Sequence, residues 1–131
     1  MNKKHDTQKT GRIGEDIAAN YLVKKGYGII IRNFHTRYGE IDIIARDNQY
    51  IIFAEVKTRN QFAVANPSEW VDKRKQKKIM MTASIYMQNN SQELQPRFDV
   101  IEIILEKGTK RLLNINHIEN AFIQEGSYAA F

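Results

Sequence analysis

Two pairs of charged residues, each pair split by one position, carry the chemistry this sequence can offer. They are Glu40 and Asp42 in RYGEIDIIA, and Glu55 and Lys57 in FAEVK. In a strand, residues two apart project from the same face. The turn between the segments decides whether the pairs meet. With Asn48 and Gln49 as a two-residue loop, Asp47 opposes Tyr50, and Asp42 falls directly opposite Glu55 with the Cβ atoms roughly 5 Å apart. A three-residue loop would oppose Asp42 to Ala54 and turn the acids to opposite faces.

Two carboxylates at that distance repel, so one pKa rises unless a cation intervenes. A hard divalent ion, Mg²⁺ or Mn²⁺, is the simplest remedy, because Mg²⁺ commonly uses one or two carboxylates plus waters. Lys57, one side-chain position along, could orient or activate the attacking water and steady a developing negative charge. Those parts together suit hydrolysis of a phosphodiester. The plainer reading of Glu55 and Lys57 is an ordinary pair on a solvated face. Their setting speaks against it: the strand is apolar on both sides, which reads as central, and central strands rarely carry charges without a task.

Further candidates lie on the helical segments. In the second helix, at about 100° per residue, Val71, Ile79, Ala83 and Tyr86 define an inward arc, with Met80 and Met87 at its edge. Asp72 and Gln76 fall inside the arc. Gln76 either bonds to the acid cluster or stands in water above the sheet. Lys73, Arg74 and Lys77 lie outward, and with Lys78 they are either phosphate contacts or a solvated surface. Glu15, on the first helix, is either an acid favoured by the helix dipole or a further metal ligand. Arg37 and Arg59 flank the acidic strands as candidate phosphate ligands. Asp99 faces the same crevice or caps a turn, and Glu40 is equally open. His5, His35 and His117 show no ligand spacing and are assigned no metal.

These side chains need a frame. Apolar residues recur at helical spacing over 11–25, and Gly26 supplies the stop. Three β-type runs follow at 27–33, 40–46 and 50–57, then a loop at 58–66. The second helix is expected to start near Ser68 and end before Ser91. Strands are expected over 97–105 and 111–116, and a short helical piece over 118–123. A meander followed by a helical crossover implies an α/β fold with a mixed sheet. The chain divides into a flexible basic arm (1–10), one domain (11–124) and a C-terminal tail (125–131).

Composition bounds the remaining choices. A chain of 131 residues with 42% hydrophobic and 27% charged residues is an ordinary globular domain rather than a disordered or coiled-coil one. With no cysteine, disulfide frameworks, iron–sulfur centres and thiol nucleophiles are excluded. The polar N-terminus is not a secretory signal, and no apolar run approaches the ~20 residues that span a bilayer. A cytoplasmic protein with no membrane contact is the expectation. The net charge of +5 is concentrated: residues 1–12 carry +3, residues 72–78 carry +4, and the rest is net acidic. Basic segments around an acidic centre favour an anionic partner.

Four motifs in order, GRIGEDIAANYL (11–22), RYGEIDIIA (37–45), FAEVKTR (53–59) and KQKKI (75–79), resemble the YraN-like family of uncharacterised bacterial proteins. That family is similar to the PD-(D/E)xK nucleases, particularly the archaeal Holliday-junction resolvases. The resemblance implies a restriction-endonuclease-like fold, with a mixed five-stranded sheet flanked by helices in the order α-β-β-β-α-β-β. It matches Asp42 to the superfamily's first acid and Glu55 and Lys57 to its E-x-K. Glu15 matches an acid some members carry on the first helix, and Gln76 a polar position on the second. The superfamily's proline is absent, since Ile41 precedes Asp42.

The resemblance thus implies a metal-dependent endonuclease acting on structured or branched DNA. Asp42, Glu55 and the Val56 carbonyl, with Glu15 as a further candidate, would hold Mg²⁺ or Mn²⁺. The alternative is a non-catalytic nucleic-acid-binding protein that keeps the fold. DNA is expected before RNA as partner, and a homodimer is one candidate arrangement for cutting two strands.

Overall fold

The computed structural model describes residues 3–62 and 72–122, with side chains from residue 8 onward. Its elements are α1 (Lys3–Lys24), β1 (Gly28–Thr36), β2 (Gly39–Arg46), β3 (Tyr50–Asn60), α2 (Lys73–Asn89), β4 (Gln95–Leu105) and β5 (Leu112–Ile118). The strands form one sheet in the order β1-β2-β3-β4-β5. Neighbours are antiparallel except β3 and β4, which run parallel because α2 crosses over between them. The mixed five-stranded α/β sheet expected from the sequence is the fold observed. Among the described residues, no helix is long and apolar enough to cross a membrane.

Local chemistry explains the boundaries. Gly26 ends α1 at φ +100, a conformation that costs glycine little. Tyr27 N–H then bonds the Leu22 carbonyl and Gly26 N–H the Val23 carbonyl, satisfying two orphan acceptors of the last turn. Between β2 and β3, the Asp47 carboxylate accepts from Gln49 N–H at 2.8 Å and Tyr50 N–H at 2.7 Å, which fixes a two-residue loop. Asp72 caps α2, its Oδ1 accepting from Lys75 N–H at 2.9 Å.

The core has two layers, one on each sheet face. Ile41, Ile44, Phe53, Phe98 and Val100 pack against Ile79, Ala83 and Tyr86 of α2. Ile43, Ala45, Ile52, Ala54, Ile101 and Ile103 pack against Ala18 and Leu22 of α1. Phe98 stacks between Phe53 and Phe122 at ring separations of 5.5 Å, tying the centre of the sheet to the segment after β5.

Several boundaries differ from expectation. α1 begins at Lys3, so the segment expected as an arm is, from that residue on, the first turns of the helix. β1 and β3 run three residues further than expected, to Thr36 and Asn60. No helix covers 118–122: Ile118 pairs with Val100 in the sheet, and residues 119–120 turn. Its apolar spacing serves Phe122, which is drawn under the sheet rather than into a helix. The expected start at Ser68 and the C-terminal tail lie outside the described residues, and the described helix begins at Lys73.

At Gly14, α1 lies tight against the sheet. A Cβ there would sit 1.8 Å from the Thr58 Oγ1 and 2.9 Å from its Cβ. Rotating the hydroxyl relieves only the first clash, so the helix itself must move. Gly14→Ala is therefore expected to destabilise the fold by about 1–3 kcal/mol despite alanine's better helix propensity. Thermal melts check this; a variant as stable as the parent would mean that α1 does not seat against Thr58.

Candidate functional site

Asp42 and Glu55 meet because the β2–β3 hairpin is even-membered. The observed pairs, from Arg46↔Ile51 to Ile43↔Ala54, follow the register that a two-residue loop dictates. The ladder stops there. The next amide of β3 that points at β2, Val56 N–H, is taken at 2.8 Å by the Asp42 carboxylate instead of a backbone carbonyl. One residue from Asp42 the side chains change face: Ile41 packs in the α2 layer, whereas Ile43 packs in the α1 layer. The partner strand does the same around Asn33, at φ +55, between Arg32 and Phe34. Asp42 thus lies where β2 twists over and separates from β3, and the gap exposes both acids to one cavity.

That cavity, about 490 Å³, reaches from the N-terminal half of α1 to the far ends of β3 and β4, and Glu15, Asp42, Glu55 and Val56 are among its lining. Asp42 and Glu55 are nevertheless only 8% and 7% exposed. Burial pushes the Asp42 pKa up, the Glu55 charge adds to it, and Glu15 and Glu40 contribute, to about 7 against the Val56 hydrogen bond. Burial also raises the Glu15 pKa, against the pull of Arg32 at 3.8 Å.

Two lysines converge on Glu55. Lys57 lies 3.5 Å from its Oε1, and Lys75, from the first turn of α2, donates to the same oxygen at 2.5 Å. Burial lowers the Lys57 pKa and the neighbouring Lys75 lowers it further, while Glu55 partly offsets both. For Lys75 burial is outweighed by its hydrogen bonds to Glu55 and Lys57, and its pKa is raised. Sequence reasoning gives Lys75 no role of its own, yet a signal for one exists: at 100° per residue it falls between Thr82 and Ile79, both buried. Gln76, the expected polar residue of α2, is half-buried beside it.

Glu102 is a second residue that sequence reasoning misses. It is 7% exposed, pairs in register with Lys57 across β3–β4 and lies 3.7 Å from Arg59. A buried glutamate beside a central Lys–Arg pair is legible only once the parallel register is known. Asp99, whose place was open, stands away from the acids. It is fully buried, gripped by Arg97 Nε and Nη2 at 2.9 and 2.8 Å, by His117 at 2.7 Å and by Asn120 N–H at 3.0 Å. Lys73, Arg74 and Lys77 are exposed on the outer side of α2, as expected, and Lys78 is exposed with the base of its side chain beside Gly39 of β2. Arg37, in the β1–β2 turn, stacks on Tyr38 at 4.8 Å, next to Gly39, which packs near Lys78.

The donor set bears on an ion. Among the described residues no three of His, Cys, Asp and Glu converge as one ligand group. Asp42, Glu55 and the Val56 carbonyl would therefore share a cation with waters, a set suited to Mg²⁺ or Mn²⁺ rather than to zinc. The fit is supported by Asp42, a buried carboxylate whose ionised form is disfavoured by burial and by the Glu55 charge, which a cation would offset. An acid with a pKa near 7 folded and near 4 unfolded binds more protons when folded, so its ionisation lowers stability as pH rises between those values. In chelator, the melting temperature of wild type is expected to fall between about pH 5 and 8 relative to Asp42→Asn, which keeps an oxygen for Val56 N–H. Added Mg²⁺ at the alkaline end should raise the wild type and not the variant. Parallel curves without a Mg²⁺ effect would contradict the assignment.

A family model described as Uncharacterised protein family UPF0102 matches residues 14–103. A UPF0102 protein of Caldanaerobacter subterraneus subsp. tengcongensis is 47% identical over 121 residues, covering 92% of this chain and 99% of its own. One from Alkaliphilus oremlandii is 47% identical over 119 residues, covering 88% and 98%. One from Clostridioides difficile is 44% identical over 119 residues, covering 89% and 99%. The family expected from the four motifs is thereby borne out.

Proposed function

We propose that this chain, which belongs to the uncharacterised protein family UPF0102, is a metal-dependent endonuclease hydrolysing phosphodiester bonds in structured or branched DNA. The observation that carries the reading is the meeting of buried Asp42 and Glu55 at a splayed sheet end, with Lys57 on the Glu55 oxygen and a cavity opening onto both acids. The resemblance of these residues to the PD-(D/E)xK pattern supports it. Asp42, Glu55 and the Val56 carbonyl would hold Mg²⁺ or Mn²⁺, which supplies Lewis acidity at the phosphate and lowers the pKa of a nearby water. Lys57 orients that water and balances the charge growing on the phosphate. Lys75 holds the Glu55 carboxylate in place through its hydrogen bond. The outer face of α2 holds the backbone through Lys73, Arg74, Lys77 and Lys78.

One observation favours a second reading. The Lys75 ammonium already neutralises Glu55 at 2.5 Å, which is what a binding-only relative of a nuclease would need. A panel of duplex, single-stranded, flap and four-way-junction DNA, with Mg²⁺, Mn²⁺ or chelator, separates the two. Ion-dependent cleavage of at least one substrate supports the nuclease; binding that weakens with salt, without cleavage under any ion, supports the binding protein.

A further inference from the structure

The cavity over the acids has a second wall. Its floor carries Asp42 and Glu55, but its rim on the β4–β5 side carries Arg59, Lys107 and Lys110. We infer that Arg59, Lys107 and Lys110 form a phosphate-binding subsite that holds the nucleic-acid backbone on the side of the acids away from α2. The inference rests on the endonuclease reading and adds where a second stretch of backbone runs.

The turn that presents these bases is tied down. Glu106 N–H bonds the Arg111 carbonyl at 2.7 Å, and Lys110 N–H the Glu106 carbonyl at 2.9 Å. Gly108 and Lys110 both adopt positive φ, +94 and +60, which tightens the turn. The Glu106 carboxylate is occupied by Thr109 Oγ1 at 2.6 Å and Arg111 at 2.9 Å, so its charge is answered within the turn. The turn is fastened to the end of β3, since Lys107 N–H bonds Gln61 Oε1 at 3.1 Å and Gln61 N–H the Leu105 carbonyl at 3.0 Å. The Arg59 strand and the two lysines therefore hold their spacing before a ligand arrives, which reduces the ordering cost of binding.

Charge order in the cavity selects the ligand. The carboxylates on the floor repel a lone small anion, whereas a chain of phosphates can set one group against a cation there and its neighbour against the rim. The bases of α2 lie on the opposite sheet face, around the recess lined by Asp72, Arg74, Lys75 and Lys78. Nucleic acid held on both sides crosses the acids instead of ending at them.

The test is binding of a fluorescein-labelled flap duplex in chelator, followed by anisotropy across salt concentration. Lys107→Ala/Lys110→Asn is compared with wild type and with Lys24→Ala/Lys25→Ala, which removes the same charge at the other end of α1. Asparagine is chosen at 110 because it tolerates positive φ. Removing one phosphate-binding cation lowers the slope of log K against log salt by about 0.7–0.9. The expected result is a slope lower by about 1.5 for the turn variant and unchanged for the control. A turn variant that matches wild type or the control overturns this subsite while leaving the nuclease reading intact. Wild type that binds no DNA overturns both. Should the double variant misfold by circular dichroism, Lys107→Ala alone is expected to lower the slope by about 0.8, and no change there overturns the subsite.

Discussion

Glu55→Gln is expected to lower the cleavage rate by about 10³-fold or more while leaving DNA binding in chelator at least as tight as in wild type. The substitution keeps the shape of the side chain and an oxygen for Lys75, so the first turn of α2 keeps its docking point. It removes the charge that the Lys57 ammonium at 3.5 Å and the Lys75 ammonium at 2.5 Å answer, and that the proposed ion would need. An amide oxygen is a weaker ligand for a hard cation, and without the carboxylate the two neighbouring ammonium groups repel the ion. Losing one negative charge helps the phosphate backbone, which is why binding and cleavage should separate. Single-turnover cleavage and anisotropy on the same preparation measure the two. Equal cleavage by variant and wild type would remove Glu55 from the chemistry.

The largest effect on stability is expected at Asp99. Its carboxylate is fully buried and is the shared acceptor for Arg97, His117 and the Asn120 amide, while His117 is itself held by Tyr21 at 2.9 Å from α1. Arg97 also bonds Tyr27 at 3.0 Å and stacks on Tyr50 at 4.8 Å, so the network links α1, β3, β4 and β5. Asp99→Ala takes the shared buried carboxylate from a guanidinium and an imidazole and leaves only the half-exposed Glu119, 3.6 Å from Arg97, which costs about 3–5 kcal/mol. At this chain length that is a fall in melting temperature of about 10–20 °C.

Burial opposes ionisation of Asp99, but the bonds to His117, Arg97 and Asn120 outweigh it and hold its pKa below the ordinary carboxylate value. A depressed pKa contributes stability above the unfolded pKa that is lost as pH falls through the folded one. The gap between wild type and Asp99→Ala should therefore narrow below about pH 4. A melting temperature within about 2 °C of wild type at neutral pH would mean that the network is not holding the sheet to α1.

The meeting of the two acids was legible because their position rests on a local rule. Asp47 closes a two-residue turn, the turn fixes the register, and the register carries Asp42 to Glu55. The five strands and the helical crossover were legible for the same reason, since apolar period and breaker residues act over short distances. What escaped depends on distant partners. Lys75 sits on the buried stripe of α2, but only the position of that helix over β3 shows that the stripe ends on Glu55. Asp99 needed His117 and Asn120, 18 and 21 residues away, to show its structural role. The change of face at Asn33 and Asp42 leaves no mark in an alternating pattern, since both strands turn over together. At the N-terminus, the polar residues before Gly11 carry no apolar period, so the helix from Lys3 gave no signal.

The most direct measurement is the initial rate of DNA cleavage against Mn²⁺ concentration for wild type and Asp42→Asn, with chelator as the zero point. The expected result is a saturable rise for wild type from no activity in chelator, and no cleavage by Asp42→Asn at any concentration. Cleavage by wild type in chelator, or a variant as active as wild type across the titration, would contradict a cation held between Asp42 and Glu55 as the source of the chemistry.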